Sequence, residues 1–309
     1  MSRRARRVPS YALEALLLAA MGLTCAWLAG SLVARPVNHA VPAPPPPARP
    51  VRLITDDHVP IAGSYWPGAA RDAPAVLLLH GINNDRRIFD RQIAWLNGLG
   101  YAVLAIDMRG HGESGAAERT FGWREAGDAA AALRWLRAAD PKRKVGVIGV
   151  SLGGAAALLG EDGPLPADVM ILHAVYPDIR TAIRNRLERV ASPFLARLAE
   201  PLLGDQSWLR YGVSPDRISP REGLGRYRGS VLIIGGTADR DTRVADSRAM
   251  YAAARGPKQL WLLSGLDHVA TSKLWTPQYR ARVGALLEHT LGRPSPPRPR
   301  AGRRGSVPA

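Results

Sequence analysis

One serine stands at the boundary between two segments of opposite character, in the run Gly149-Val150-Ser151-Leu152-Gly153. The small and β-branched residues before it predict a buried strand, and the alanine-rich residues after it predict a helix. A nucleophile that must stand clear of its backbone fits such a turn, and flanking glycines remove the Cβ clashes that the turn creates. The pattern predicts that Ser151 is a nucleophile and that the amide of Leu152 faces a developing oxyanion.

A serine hydroxyl is a weak nucleophile unless a histidine accepts its proton and a carboxylate orients that histidine. Asp239 follows one later apolar run, and His268 follows the next. The carboxyl ends of parallel strands meet at one edge of a sheet, so we expect both side chains near Ser151. Asp241 is an alternative carboxylate if the loop turns differently, and Asp178 is a more remote one.

Two further loops follow predicted strands. His80-Gly81-Ile82 ends an apolar run, and the glycine allows a tight turn that presents the amide of Ile82 as a second oxyanion donor. We expect His80 to hold this loop in place and not to transfer protons. The polar, glycine-broken loop at 107–114, DMRGHGES, is expected to brace the neighbouring loops.

From residue 75 onward, short apolar runs alternate with amphipathic stretches, which indicates parallel strands joined by crossover helices. The nearly continuous hydrophobicity of the runs indicates a sheet that is buried on both faces. The predicted strands cover 75–80, 102–107, 144–150, 169–174, 230–236 and 259–264. The predicted helices cover 86–98, 123–139, 152–160, 242–255 and 275–291. An alternating segment at 52–68 predicts an antiparallel hairpin at the sheet edge.

The segment at 178–229 is too long for an ordinary crossover, and it predicts a cap or lid over the sheet edge. Helical spacing of apolar residues within it predicts one apolar helix face that packs on the domain below. The residues of this face are Ile183, Leu187, Val190, Phe194 and Leu198.

The HG loop, DMRGHGES, GVSLGG, GTADRDT and the final His268 occur in one order, and together they resemble the α/β-hydrolase superfamily. The resemblance is to its lipase-like and serine-aminopeptidase-like branch, which includes prolyl-aminopeptidase-like enzymes, and it covers residues 52–291. It implies an α/β-hydrolase fold, with a mostly parallel, doubly wound sheet and a helical cap inserted after the sixth strand.

The same resemblance implies a role for each candidate residue. Ser151 would be the nucleophile, His268 the general base and acid, and Asp239 the orienting acid, with oxyanion donors at the amides of Ile82 and Leu152. Related dehalogenases and epoxide hydrolases carry aspartate at the turn, so serine there favours acyl transfer. We therefore expect hydrolysis of a carboxylic ester or thioester through an acyl-enzyme, with a small-molecule acyl substrate and no metal, nucleotide or flavin cofactor.

Three alternatives stay open at this point. A compact serine peptidase of the aminopeptidase-like type would use the same residues, although the many arginines in the cap favour an acidic or neutral acyl substrate. A haloperoxidase-like side activity would also use them. A catalytically silent binding module on the same fold is the third alternative, because fold alone does not determine function.

The N-terminal part of the chain predicts a membrane segment. Residues 15–34 carry no charge over a length that spans a bilayer, and four arginines in the basic segment 1–14 place that end in the cytoplasm. The catalytic domain would then lie on the non-cytoplasmic side. The alternative is a signal peptide cleaved near the small residues at 29–31, which gives a secreted protein. The Pro-rich segment 35–51 is expected to be a spacer that holds the domain away from the membrane.

Composition excludes several other classes of function. The net charge of +16 is spread along the chain without a nucleic-acid-binding motif, so no nucleic-acid partner is expected. The single cysteine, Cys25, lies in the apolar segment, which leaves the domain without a disulfide or a cysteine metal site. The Pro- and Arg-rich tail at 292–309 is expected to be disordered.

Overall fold

The computed structural model describes residues 10–268 and 274–294 of the 309-residue chain. Its central sheet has eight strands, and six of them occur where the apolar runs predict them. The other two form the predicted antiparallel hairpin, whose first strand begins at Arg49, inside the segment 35–51 that was expected to be a spacer. These strands are β1 (Arg49–Ile54), β2 (Pro60–Trp66), β3 (Ala75–Leu79), β4 (Ala102–Ile106), β5 (Val145–Val150), β6 (Val169–His173), β7 (Ser230–Gly236) and β8 (Lys258–Leu263).

The strand order across the sheet is β8-β7-β6-β5-β3-β4-β2-β1. Strand β2 runs antiparallel to both of its neighbours, and the other pairs are parallel. The prediction of an α/β-hydrolase fold is confirmed. Successive residues of β3 enter opposite cores, with Leu77 and Leu79 on one face and Val76 and Leu78 on the other. This alternation explains why the strands are apolar throughout.

Helices cover both faces of this sheet. On one face the core includes residues from α3, α4, α8 and α9, and on the other it includes residues from α2 and α10. The helices are α1 (Ser10–Ala34), α2 (Asp90–Gly98), α3 (Glu125–Ala138), α4 (Leu152–Ala156), α5 (Ile179–Leu187), α6 (Pro193–Gly204), α7 (Gln206–Tyr211), α8 (Pro220–Arg226), α9 (Val244–Ala253) and α10 (Pro277–Leu291). Short 3₁₀ turns lie at Arg86–Phe89 and Pro215–Arg217.

Helices α5 to α8 lie between the sixth and seventh strands of the sheet, as the cap prediction requires. The apolar spacing within the cap predicted one packed face, and this part of the prediction is wrong. Helix α5 ends at Leu187, and α6 starts anew at Pro193, with the hydroxyl of Ser192 accepting a hydrogen bond from the amide of Leu195. Proline at the first helical position and a serine cap favour this separate start.

Because of that break, the apolar residues divide into two groups with different surroundings. Ile183 is partly buried and packs on the core, whereas Val190, Phe194 and Leu198 are exposed to solvent. The outer face of α6 therefore carries an apolar surface that the rest of the domain does not cover.

The N-terminal helix α1 is long and apolar enough from Tyr11 to Ala34 to cross a membrane, by length and composition. It starts at Ser10, five residues before the predicted segment. The predicted basic segment 1–14 lies outside the described residues up to residue 9, and the predicted tail 292–309 lies outside them after residue 294.

The segment after α1 differs from the expected spacer. The amide of Val37 donates to the carbonyl of Gly110 at 2.7 Å, and the side chain of Asn38 donates to the carbonyl of Ser114 at 2.6 Å. Unlike the prolines that follow them, these residues have backbone amides that can pair. They bind to the loop after β4, and α1 itself contacts α6 of the cap.

Candidate active site

Ser151 occupies a strained turn between β5 and α4. Its φ and ψ angles are 47° and −107°, which is a rare backbone conformation for a residue with a side chain. A methyl group on Gly149 would lie 2.6 Å from Cα of Gly154, and one on Gly153 would lie 2.1 Å from the carbonyl oxygen of Leu79. Only glycine fits at both positions, which explains why the serine is flanked by glycines.

A continuous hydrogen-bonded chain connects Ser151, His268 and Asp239. The Ser151 Oγ lies 3.2 Å from Nε2 of His268, and Nδ1 of the same ring lies 2.9 Å from Oδ2 of Asp239. Asp239 and Ser151 are buried, and the His268 side chain is only 15% exposed. With a proton on Nδ1, the Nε2 lone pair faces the serine hydroxyl, as a general base requires.

The structure distinguishes the three candidate carboxylates. Oδ1 of Asp239 accepts hydrogen bonds from the amides of Asp241 and Thr242 at 2.8 and 2.7 Å, which leaves Oδ2 directed at His268. The carboxylate of Asp241 pairs with Arg189 at 3.0 Å. Asp178 caps α5 by accepting from the amide of Thr181 at 2.8 Å. Of these three residues, only Asp239 is placed to orient the histidine.

The loop that carries Ile82 lies directly against the serine. A methyl group on Gly81 would lie 3.7 Å from Cβ of Ser151, and Ile82 packs in a small apolar cluster with Leu152 and Met108. The two amides predicted as oxyanion donors therefore belong to residues that pack together beside the Ser151 side chain. Leu152 is also the first residue of α4, where backbone amides have no partner within the helix.

Two buried imidazoles brace that loop. Nδ1–H of His80 donates to the carbonyl of Gly81 at 2.7 Å, and Nε2 accepts from the amide of Met108 at 3.0 Å. His111 accepts from the amide of Asn83 at 3.2 Å through Nε2 and donates from Nδ1 to a carbonyl. Both roles need a neutral ring. Burial lowers the pKa of His80 and of His111 to about 4, which keeps both rings neutral at neutral pH.

The bracing function of His111 was not singled out by the sequence, which predicted only that its whole loop supports its neighbours. The same loop places Asp107 in a buried ion pair with Arg86, and Arg109 in ion pairs with Asp57 and Asp128. No spacing rule relates His111 to Asn83, because the contact joins loops that follow two different strands.

We predict that acidification destabilises the protein through His80. A folded-state pKa of about 4 lies below the unfolded value of 6.5, so the unfolded state binds more protons between these limits. The contribution of His80 to the free energy of unfolding is fully present above pH 6.5. It is lost as the pH falls toward 4, by up to roughly 3 kcal/mol. Urea unfolding of the detergent-solubilised chain at several pH values measures the decline.

His80→Gln keeps hydrogen-bonding groups at this position without titrating, so its stability should fall less steeply over the same pH range. His289→Gln, at an exposed position of α10, is the matched control and should follow the native chain. Equal pH dependence in the native chain and in His80→Gln would contradict the prediction.

Strand β6 ends in a buried histidine that lies apart from the Ser151–His268–Asp239 chain. His173 is buried, and its Nδ1 has no hydrogen-bond partner in the part of the chain that the structure describes. Its Nε2 lies 3.5 Å from the hydroxyl of Tyr279. Burial lowers its pKa to about 3, so the ring is neutral and takes no part in the hydrogen-bonded chain described above.

A cavity of about 370 Å³ opens above Ser151. Most of its lining side chains are apolar, as is typical of a pocket for a small molecule. They come from the Ile82 loop, from α5 and from the end of α6, and they include Ile179, Ile183, Leu187 and Leu203. Helix α1 also contributes residues to this lining. In residues 10–268 and 274–294, no group of histidine, cysteine, aspartate and glutamate side chains is arranged to hold a metal ion.

The sequence of this chain is similar to one protein family and to several known proteins. A family model described as serine aminopeptidase S33 matches residues 70–218. An uncharacterised protein of Mycobacterium tuberculosis is 30% identical over 228 residues, which cover 72% of this chain and 73% of that protein. An esterase of the same organism is 34% identical over 103 residues, which cover 32% of this chain and 30% of the esterase.

Among solved structures, the esterase Pf2001 of Pyrococcus furiosus superposes with a TM-score of 0.65 and 25% sequence identity. The superposition covers 84% of this chain and 100% of that esterase. The similarity therefore extends over the sheet and the cap and is not limited to a short motif.

Proposed function

Because this chain belongs to the α/β-hydrolase superfamily, we propose that it is a serine hydrolase that cleaves a carboxylic ester or thioester through an acyl-enzyme on Ser151. The observation that carries the proposal is the hydrogen-bonded chain from Ser151 through His268 to Asp239 at the base of an apolar cavity. The esterases among the proteins it resembles support an ester as the bond that is cleaved.

In the acylation step, Nε2 of His268 accepts the proton of Ser151 while Oγ attacks the carbonyl carbon of the ester. The carbonyl oxygen becomes an oxyanion, which the amides of Ile82 and Leu152 stabilise by hydrogen bonding. The C–O bond to the leaving group then breaks, and His268 donates its proton to the departing alkoxide. Asp239 stabilises the imidazolium that exists between these two proton transfers.

In the deacylation step, a water molecule donates its proton to His268 and attacks the acyl-enzyme. A second tetrahedral oxyanion forms at the same amides and collapses to a carboxylic acid. The proton on His268 returns to Oγ of Ser151, which restores the free enzyme. The site needs no net change in protonation or redox state over this cycle.

The main alternative is a compact serine peptidase, because the matching family model is described as serine aminopeptidase S33. An aminopeptidase must pair the ammonium group of its substrate with a carboxylate. The side chains that line the cavity, within the part of the chain that the structure describes, include Arg186 and Arg210 but no aspartate or glutamate. Burying an unpaired ammonium group in this cavity is costly, and a neutral acyl chain is the better fit.

We predict that p-nitrophenyl esters exceed aminoacyl p-nitroanilides in kcat/KM by at least about 100-fold, since an unpaired buried ammonium costs a few kcal/mol. Initial rates on both series, with Ser151→Ala as the blank, measure the ratio. Anilide cleavage at rates equal to ester cleavage would favour the peptidase. A native chain that turns over neither series and reacts with no serine probe would favour the silent binding module.

We further propose that α1 is a retained membrane anchor, with the arginine-rich residues before it in the cytoplasm and the catalytic domain 52–291 on the non-cytoplasmic side. The length and hydropathy of α1 support this proposal, together with the arginines before it. Residues 178–229 form the cap within that domain, and residues 35–51 connect the domain to α1.

A further inference from the structure

The last two turns of α1 form part of the cavity wall above the catalytic serine. Ala29, Gly30 and Val33 line the same cavity as Ser151 and Leu152. A membrane anchor needs no contact with the site that it tethers, and a polyproline linker would allow separation. The position of α1 therefore requires an explanation beyond tethering.

Specific polar contacts hold α1 in this place. The side-chain amide of Gln206 donates to the carbonyl of Ala26 at 2.9 Å. The guanidinium of Arg210 donates to the carbonyl of Trp27 at 2.9 Å and to the hydroxyl of Ser31 at 2.6 Å, and it lies 3.9 Å from the centroid of the Trp27 ring. A desolvated cation over an indole ring is a favourable contact, so these bonds join α1 to α7.

The depth of these residues in a membrane follows from helix geometry. Tyr11 to Ala34 comprise 24 residues, which span about 36 Å, against about 30 Å for the hydrocarbon core. Ala29 to Val33 lie within the final turns, at the boundary between hydrocarbon and head groups. The ester bonds of membrane lipids lie at this same depth, where the cavity above Ser151 meets α1.

An exposed apolar surface continues from α1 across the cap. We call it the apolar cap face, and each of its side chains is 44–74% exposed. Its residues are Phe194, Leu195, Leu198, Leu202, Trp208 and Leu209. Helix α6, which carries four of them, packs against α1. Soluble domains rarely expose a helix with several large apolar side chains, whereas helices that lie in a membrane interface present such a face.

We propose that the substrate is a membrane-resident lipid ester with a long acyl chain, which passes from the bilayer into the cavity beside α1. The apolar cap face lies in the membrane interface, and α1 forms one wall of the acyl site. This inference rests on the proposed function, because it names the substrate class of the site at Ser151. It also requires that α1 is retained, since cleavage near 29–31 would remove the wall.

The test uses the full chain reconstituted in phosphatidylcholine vesicles. Hydrolysis of vesicle-borne p-nitrophenyl oleate is compared with hydrolysis of water-soluble p-nitrophenyl butyrate, and the ratio of their kcat/KM values is the readout. Ala29→Trp places a large ring in the cavity wall, and Leu28→Trp places the same ring at the neighbouring, exposed position outside the lining. Overpacking of the wall by Ala29→Trp should lower the ratio at least about tenfold. Leu28→Trp should change it less than about twofold.

A second variant tests the apolar cap face without touching the cavity. Leu198→Glu places a charge at the membrane surface and should lower oleate hydrolysis more than butyrate hydrolysis. Leu99→Glu, at an exposed position directly after α2 and outside the apolar cap face, should not. Equal ratios in the native chain, Ala29→Trp and Leu198→Glu would overturn the inference while leaving the serine hydrolase proposal intact. Failure of native Ser151 to react with a fluorophosphonate would instead overturn the proposed function.

Discussion

Replacement of Ser151 with alanine is expected to lower kcat/KM for p-nitrophenyl butyrate by about 10⁴-fold or more. Without Oγ no acyl-enzyme forms, and the remaining groups can only polarise the carbonyl toward water. The strained backbone at this residue, with φ of 47°, exists to present the side chain, and alanine tolerates the turn no worse than serine. The loss should therefore be catalytic and not a loss of folded protein.

Initial-rate kinetics on the purified chain measure this effect, and the urea midpoint of each variant verifies its folding. Ser264→Ala removes a hydroxyl from an exposed residue just after β8 and is the matched control. Its kcat/KM should stay within about twofold of the native value. If folded Ser151→Ala retained a tenth of native activity, the hydrolysis would belong to another group.

Asp239→Asn is expected to lower kcat by about 10⁴-fold, through the tautomer of His268. The amides of Asp241 and Thr242 both donate to Oδ1 of Asp239, so an asparagine must keep its oxygen there. Its NH₂ group then donates to Nδ1 of His268, so Nδ1 must accept and cannot carry the ring proton. The ring proton moves to Nε2, where it faces Ser151 and blocks proton transfer from the hydroxyl.

The pH–rate profile and kcat of the purified variants measure this effect. Asp241→Asn is a close control, because Asp241 is only two residues away and its carboxylate pairs with Arg189 instead of His268. We expect its kcat to fall less than about tenfold. A larger loss in Asp241→Asn than in Asp239→Asn would reverse the assignment of the orienting carboxylate.

The sheet and the candidate site were predictable from the sequence because both depend on local patterns. Val145–Val150 and the glycines around Ser151 specify a strand and a tight turn within ten residues. Asp239 and His268 each follow an apolar strand, and parallel strands bring their ends to one edge without further information. No local pattern separates Asp239 from Asp241, because the choice depends on how one loop folds back onto its own amides.

The placement of α1 could not be predicted, because apolar composition indicates a membrane and says nothing about which side of the helix meets the domain. Ala26 and Gly30 have the small side chains that close helix packing requires, but such residues are common in membrane helices. Their partner, Gln206, lies 180 residues away from Ala26 in a short cap helix. No periodic pattern connects the two segments.

The cap was predicted as an insertion, but the prediction that its apolar residues form one packed helix face was wrong. Apolar residues from Ile183 to Leu198 keep helical spacing across a break at Ser192-Pro193, so periodicity alone joins two helices into one. Proline at the first position of α6 marks the restart. The exposed state of Phe194 and Leu198 follows only from the direction in which α6 leaves that turn.

Reaction of the full chain with a fluorophosphonate probe, followed by peptide mass spectrometry, would show directly whether Ser151 is an activated nucleophile. We expect a single phosphonylated residue, Ser151, with labelling that is lost in Ser151→Ala and slowed by about 10³-fold or more in His268→Ala. Folded native chain that stays unlabelled, or labels as fast when His268 is absent, would contradict an activated serine at this site.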